Sequence, residues 1–330
     1  MRRWTARLLA LTVVLGVLAV DAEVRADPLP SWNETTSKAQ ILSFIDQVTD
    51  PASPDYVTPA ERIAVFDNDG TLWGEKPFYF QLFFAVDKLK ELAEQDPAIV
   101  NSPAREAAIA GDFEALFAGG EEALLDVIFA SHADISVDDF TADVREWLAT
   151  ARHPVTGRRY DGMVYQPMLE LLSALRDNGF STWIVSGGGI HFIRAFADDV
   201  YGIPPEQVIG STVKTVYEVV DGVPVIMKTP AIGFIDDKAG KPVAIDAHIG
   251  RRPIFAGGNS DGDFEMLEYV TSGEGPRFGL LIHHTDAARE SAYDRDSSVG
   301  RLDRGLDEAG ERGWLVVDMA EDWAAIYPGP

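Results

Sequence analysis

Asp67 and Asp69 stand two positions apart where the apolar run Ile63–Phe66 stops, in the stretch "IAVFDNDGTLWGEK". Two carboxylates spaced this way leave a strand with their side chains on the same side. One can attack as a nucleophile while the other gives or takes a proton, the division of labour that a phosphoryl or acyl transfer needs. Gly70 lets the backbone turn closely round a bound anion, and Thr71 offers a hydroxyl and an amide. The competing reading, a calcium loop, requires the D-x-[DN]-x-[DN]-G spacing and does not follow a sheet strand. Ser186 ends "TWIVSGGG", where its hydroxyl and the amides from Gly187 onward could hold phosphate oxygens or could merely make a tight turn. Lys238 and Lys241 in "DDKAGKPV", followed by Asn259–Asp263 in "GGNSDGD", complete the candidate set. A lysine there would neutralise a phosphoryl group and the attacking carboxylate.

These residues need a scaffold that brings distant strand ends together. From Tyr165 the sequence alternates helix and strand patterns. Pro167 suits a first helical turn, Met168, Leu171, Leu172 and Leu175 share one face, and Asn178–Gly179 is a stop. "STWIVSGGG" reads as a strand and "IHFIRAFADDVYG" as one helix; Val216–Met227 reads as a hairpin turned at Asp221–Gly222. Three further short strands lie in "RPIFAGGNSDGD", "RFGLLIHH" and "GWLVVD". The alternation predicts an α/β fold, a doubly wound, mostly parallel sheet, with ligands at the carboxyl ends of its strands. Between the first two strands comes a helical segment. Phe78, Leu82, Val86, Leu89 and Ala93 mark one apolar helix face, and further helices are expected over 104–118, 121–132 and 137–151. The predicted organisation is a core of 27–73 and 160–330 with a helical cap, 74–159, inserted in it.

Residues 1–26 are set apart as a secretory leader: a basic start with Arg2, Arg3 and Arg7, the apolar run Leu8–Val20, and a small residue, Ala26, before Asp27. The apolar run is too short for a spanning helix, which needs about 20 residues. The expectation is cleavage after Ala26, a periplasmic or secreted protein, and no stable membrane insertion after cleavage. A formal net charge of -25 repels nucleic-acid backbones and argues against such partners. It also repels small anions, so a phosphate site must rely on local cations and amide dipoles. With no cysteine, disulfides, thiolate catalysis and thiolate metal sites are excluded.

In this order the elements resemble the haloacid dehalogenase-like superfamily of hydrolases, in which Asp-x-Asp-x-Thr matches "DNDGT", a serine at a strand end matches Ser186, then follow a lysine and an acidic loop, here "GGNSDGD". The resemblance spans roughly residues 60 to 320, and the helical insert and the hairpin look like those of its phosphoserine phosphatase-like branch. It implies Asp67 as the nucleophile that forms an aspartyl-phosphate and Asp69 as the acid and base. It implies Thr71, Ser186, Gly187 and a lysine as the phosphate-binding groups. Lys241 is favoured because "GKPVAI" starts a helix as in the family, with Lys238 as runner-up. It further implies Mg²⁺ held by Asp67, Asp69, Asn259 and Asp263. Asn259 departs from the family's pattern, which has an acid there, and brings no negative charge to the metal.

The sequence thus predicts an exported Mg²⁺-dependent phosphomonoester hydrolase acting on a small phosphorylated molecule. Transfer to an alcohol, or phosphoester binding without turnover through Asn259, are the alternatives; the oligomeric state is not specified. Glu75 reads as a substrate-sensing acid or a surface charge, and Tyr79, Phe80 and Phe84 as cap core or substrate contacts. His191, after the glycine run, reads as a substrate contact or as an ordinary helix-turn histidine. His283 and His284 end a strand near the site, at a position read as peripheral, and point to opposite faces, which makes them a poor metal pair.

Overall fold

A computed structural model describes residues 26–329. The expected leader lies outside the described residues except for Ala26. Among the described residues no helix is long and apolar enough to cross a membrane.

A first helix, α1 (Thr36–Thr49), buries Ile41, Phe44, Ile45 and Val48 against the sheet and leads to strand β1 (Ile63–Phe66). All four residues of β1 are buried, the pattern of a central strand covered on both faces. The chain then passes into α2 (Phe80–Gln95), α3 (Pro103–Ala110), α4 (Phe113–Ala118), α5 (Gly120–His132) and α6 (Val137–Thr150). The single helix expected over 104–118 is two. Gly111 takes a left-handed conformation with φ +73° and ends α3, and Asp112 caps α4 by accepting from the Ala115 amide.

The predicted apolar face of α2 packs with the neighbouring helices: Leu82, Val86 and Leu89 join Ala108, Leu116 and Val127 in a cluster separate from the main core. Its other face, Phe80, Phe83 and Phe84, reaches the main core together with Phe140, Val144 and Leu148 of α6. The insert is therefore anchored to the sheet domain by aromatic packing, including a stacked pair of Trp147 and Tyr160 at 4.4 Å.

Helix α7 (Gln166–Asp177) returns the chain, with Met168, Leu171, Leu172 and Leu175 wholly buried, and delivers strand β2 (Ser181–Gly189). The helix expected over "IHFIRAFADDVYG" is broken into α8 (Ile190–Arg194) and α9 (Ala197–Tyr201) because Phe196 leaves helical geometry at φ -134°. Strands β3 (Val208–Val220) and β4 (Val223–Phe234) follow as an antiparallel hairpin longer than the predicted one. After them come α10 (Gly240–Ile249), β5 (Phe255–Gly258), α11 (Phe264–Thr271), β6 (Phe278–His283), α12 (Arg304–Arg312), β7 (Leu315–Asp318) and α13 (Met319–Asp322).

The seven strands order β4-β3-β2-β1-β5-β6-β7, parallel except for the β3–β4 hairpin. The chain builds outward from β1 in one direction through β2 and in the other through β5. The crevice beyond the carboxyl ends of β1 and β5 is consequently the topological switch point where doubly wound sheets bind ligands.

Asp221 and Gly222 turn the hairpin with φ +50° and +84°. Positive φ at both central residues is the requirement of a type I′ turn. Gly222→Val is expected to cost about 1–2 kcal/mol of local stability, read as faster amide exchange along the outer halves of β3 and β4. Unchanged exchange there would refute this account of the turn.

Candidate active site

The ladder of β1 ends with the Asp67 amide donating to Gly257 of β5 at 3.0 Å, and the chain then curls back on itself. The amides of Leu72 and Trp73 turn in to the Asn68 carbonyl, and the Gly70 amide bonds to the Trp73 carbonyl at 2.8 Å. Gly70 has φ +75°, and a Cβ there would lie 2.1 Å from Asn259 Nδ2 and 2.5 Å from Glu75 Oε1. Only glycine permits both the turn and this approach. The loop thereby puts Asp67 and Asp69 on one cavity of about 410 Å³, which Ser186, Gly187, Lys241 and Asp263 also line.

Lys241, in the first turn of α10, lies at the centre. Its ammonium donates to Asp67 Oδ1 at 2.7 Å, Asp263 Oδ1 at 2.6 Å and the Val185 carbonyl at 2.9 Å, and the side chain is buried. Lys238 is exposed, with φ +50°, and belongs to the turn before the helix; the geometry selects Lys241. Asp263 is filled by donors: Oδ1 takes the lysine, and Oδ2 takes the amides of Asn259 at 3.0 Å and Ser260 at 3.1 Å. That occupancy makes it the lysine's anchor, in contrast to the metal-ligand role implied by the family resemblance.

The electrostatics follow from burial. Desolvation, reinforced by the Asp263 charge, pushes the Asp67 carboxyl up to about 8 against the pull of Lys241. Burial also raises Asp69 to about 6, although Trp73 Nε1 donates to its Oδ1 at 2.8 Å. For Lys241, burial works against the charge, yet Asp263 and Asp67 hold the ammonium well above its ordinary value. Three buried carboxyls, Asp67, Glu75 and Asp263, therefore crowd near the partly open Asp69 with the Lys241 ammonium among them. The excess of acid and the all-oxygen donor set suit a hard divalent cation. The Asp67 carboxylate is the cavity-lining side chain that fits it; the Asn259 amide oxygen does not line the cavity and already accepts from Thr71, with one lone pair left for the ion.

Other expected residues are placed differently. Thr71, expected to bind phosphate, is fully buried and does not line the cavity; its hydroxyl donates to Asn259 Oδ1 at 3.1 Å. Ser186 does line the cavity, and its Oγ accepts from the Gly188 amide at 3.1 Å. The Gly189 amide, expected to face an anion, donates instead to Gln81 Oε1 of the helical insert at 2.7 Å. Glu75 is no surface charge: it is 1% exposed and accepts from Asn259 Nδ2 at 2.8 Å and the Tyr293 hydroxyl at 2.7 Å. Burial raises its carboxyl well above the ordinary range. Tyr79, 40% exposed, borders the cavity, whereas Phe80 and Phe84 are core.

His191 lines the cavity, its pKa lowered to about 4 by burial and by Lys228 and Arg194. His283 only approaches Asp294, at 3.4 Å. His284 is not peripheral: buried, it donates from Nε2 to the Gly70 carbonyl at 2.8 Å and so braces the Asp67 loop from behind. Its location at the carboxyl end of a parallel strand was the available signal. Sequence reasoning missed Trp73, Tyr293 and Lys228. Trp73 comes two residues after Thr71 of the first motif, Tyr293 lies in a loop without a pattern, and Lys228 adjoins the end of the predicted hairpin with no motif around it.

A family model of the haloacid dehalogenase-like hydrolases matches residues 64–268, more than half of the 330-residue chain. The chain belongs to that family of hydrolases. Among solved structures it is similar to a conserved protein of unknown function from Anaerococcus prevotii DSM 20548, at 16% identity over 78% of this chain and 88% of the other, with a TM-score of 0.52. It is also similar to a protein of unknown function from Bordetella pertussis Tohama I (20% identity, 78% and 99% covered, TM-score 0.47). A third likeness is to a phosphoserine phosphohydrolase-like protein from Francisella tularensis subsp. tularensis SCHU S4 (18% identity, 76% and 98% covered, TM-score 0.37). The first of these likenesses shows a shared fold. No curated protein matches the chain.

Removing the central ammonium leaves two buried carboxylates facing each other. Lys241→Met is expected to cost about 3–5 kcal/mol in urea unfolding, and adding Asp263→Asn should return a substantial part of it. A Lys241→Met protein as stable as the wild type would overturn this view of the site.

Proposed function

We propose that the protein is an exported phosphomonoesterase that passes the phosphoryl group to Asp67 and then to water. The observation that carries this reading is the placement of Asp67 at the sheet's switch point, with Oδ1 fixed by Lys241 and with Asp69 beside it on the same cavity. Lys241 holds one oxygen of Asp67 and leaves the other to attack phosphorus in line with the leaving oxygen. Asp69, protonated up to about pH 6, gives its proton to that oxygen. Once the alcohol has left, the same carboxylate takes a proton from the water that hydrolyses the aspartyl-phosphate. The Trp73 indole, bonded to Asp69, keeps that carboxylate aimed at the cavity. Asp67, the main-chain carbonyl of Asp69 and Asn259 would hold Mg²⁺, which would supply charge neutralisation between the phosphoryl group and the acids.

Export is proposed from the leader pattern of residues 1–26, with the cleaved chain starting at Asp27; an intact mass measured on protein from the native host checks it.

The decisive assay is phosphate release from a panel of phosphomonoesters. Asp67→Asn is expected to lower kcat by more than about a thousand-fold, and chelation should abolish release until Mg²⁺ is restored. No release from any ester by the folded, Mg²⁺-supplied protein would sink the proposal.

A general acid must be protonated and a carboxylate nucleophile ionised in the free enzyme, so with Asp69 at about 6 and Asp67 at about 8 kcat/KM should rise to about pH 6, stay level to about 8 and fall above it because Asp69 has lost its proton. Asp69→Asn should remove that limb of the profile; a limb that survives in the variant belongs to another group.

The Asn259 amide is fixed by donating to Glu75 at 2.8 Å, so Asn259→Asp would set two carboxyls against each other. Its melting temperature should fall in chelator and rise above that of the wild type in saturating Mg²⁺. Identical shifts in the two proteins would show that Asn259 does not face the cation.

A further inference from the structure

The cavity that begins at Asp67 does not end at the phosphate-sized space beside it. It runs on beneath the helical insert along an apolar wall that includes Leu82, Leu124, Ile128 and Phe129, with Val213 and Ile232 contributed by the β3–β4 hairpin. In this wall stands one ammonium group, that of Lys228, and the residue is 4% exposed. Among the described residues it has no carboxylate within ion-pair distance and its Nζ makes no hydrogen bond. Its visible partner is the face of Phe140, 3.2 Å from Nζ to the ring centroid.

The backbone fixes it there. The Lys228 amide donates to the Ile135 carbonyl at 3.0 Å and its carbonyl accepts from Asp134 at 2.9 Å, which ties the hairpin to the insert at this residue. Among the described residues, His132 and His191 lie around the ammonium and no acid does. His132 is committed to Ser131 and Gln81, whereas the His191 ring has no hydrogen-bond partner among the described residues. Burial alone pushes the Lys228 pKa down to about 7.

A buried ammonium without an anion is costly, because desolvation is not offset. Elsewhere in this protein buried lysines are paired: Lys241 with Asp67 and Asp263, and Lys38 with Asp27 and Glu34. Lys228 is different in that its missing counter-charge faces a ligand cavity whose other end is the candidate reaction centre. We propose that Lys228 is a specificity-determining residue that pairs with a carboxylate on the substrate, so that the substrate class is an amphiphilic phosphomonoester with an apolar body and a carboxylate remote from the phosphate. His191, which lines the same cavity without a hydrogen-bond partner among the described residues, is available to the same carboxylate. The apolar wall takes up the body between the two charged ends, and the acidic surface makes this inner cation the local source of attraction for the second anion.

The inference uses the phosphatase reading only to place the phosphate end. It is tested with flexible probes, hexyl phosphate and 6-(phosphonooxy)hexanoate, and with homologues of both from four to ten carbons. Dissociation constants are measured calorimetrically in the Asp67→Asn protein, where turnover does not intervene, with and without Lys228→Met; kcat and KM are measured in the proteins that retain Asp67. At the chain length that spans the cavity, the carboxylated probe should bind roughly ten-fold or more tightly than its alkyl counterpart. Lys228→Met should erase that difference while leaving the alkyl phosphate unaffected, and in turnover the loss should fall on KM with kcat held.

Equal affinity for the two probes at every length, or a preference that survives Lys228→Met, would overturn the proposal. So would an equal loss for both probes, which would mark Lys228 as a structural residue. A Lys228-dependent preference in binding, with no phosphate released by proteins that retain Asp67, would uphold this site and reject the phosphatase reading. Release without such a preference would do the reverse.

Discussion

The Lys241 ammonium, held between Asp67 and Asp263, is the interaction on which the site depends. Three strand ends and one helix start must be in register for it to form: Asp67 follows β1, Val185 belongs to β2, Asp263 follows β5, and the lysine opens α10. In a low-dielectric interior the two carboxylates hold the ammonium charged, and the ammonium draws the Asp67 carboxyl down against the burial that raises it. The pairing thus converts sheet topology into a fixed, ionisable nucleophile. It also leaves the surroundings over-supplied with acid, the condition that a divalent cation relieves.

Behind this centre stands a second tier that sets the loop's shape. His284 bonds the Gly70 carbonyl, Tyr293 and Asn259 bond Glu75, and Thr71 bonds Asn259. His284 and Tyr293 stack with centroids 4.3 Å apart, so the two supports reinforce one another. Asn259 has lost the charge of an acid but not its place in the scaffold. Its amide joins the first-motif loop to the β5 loop through Thr71 on one side and Glu75 on the other. Glu75 brings a carboxyl to within a hydrogen bond of the position where the family pattern has one.

Much of this was legible in the chain because it obeys simple periodicities. The buried β1 run, the one-sided face of α7 and the Asp-Gly hairpin turn each follow from a local rule, and together they force the alternation of a parallel sheet. Lys241 was preferred to Lys238 because a lysine that opens a helix matches the family's pattern. What escaped was set by tertiary contact. Thr71 has a phosphate-binding residue type but turns inward to Asn259, and Glu75 looks like a surface charge until the turn at Gly70 folds it under the loop. The break between α8 and α9 left no proline or glycine to mark it. Lys228 sits in an ordinary strand pattern, and its burial results from the insert closing over it.

The backbone bonds at Lys228 have a consequence for motion. An inserted domain joined to its host by two adjacent connections can swing like a door. Here the β3–β4 hairpin rises from the sheet edge and pairs with residues 134–136 of the insert, adding a third attachment remote from the other two. The hairpin bonds oppose that swing. A swing of the insert away from the sheet would have to break these peptide hydrogen bonds or carry the hairpin with it, so this edge of the insert and one wall of the cavity move together.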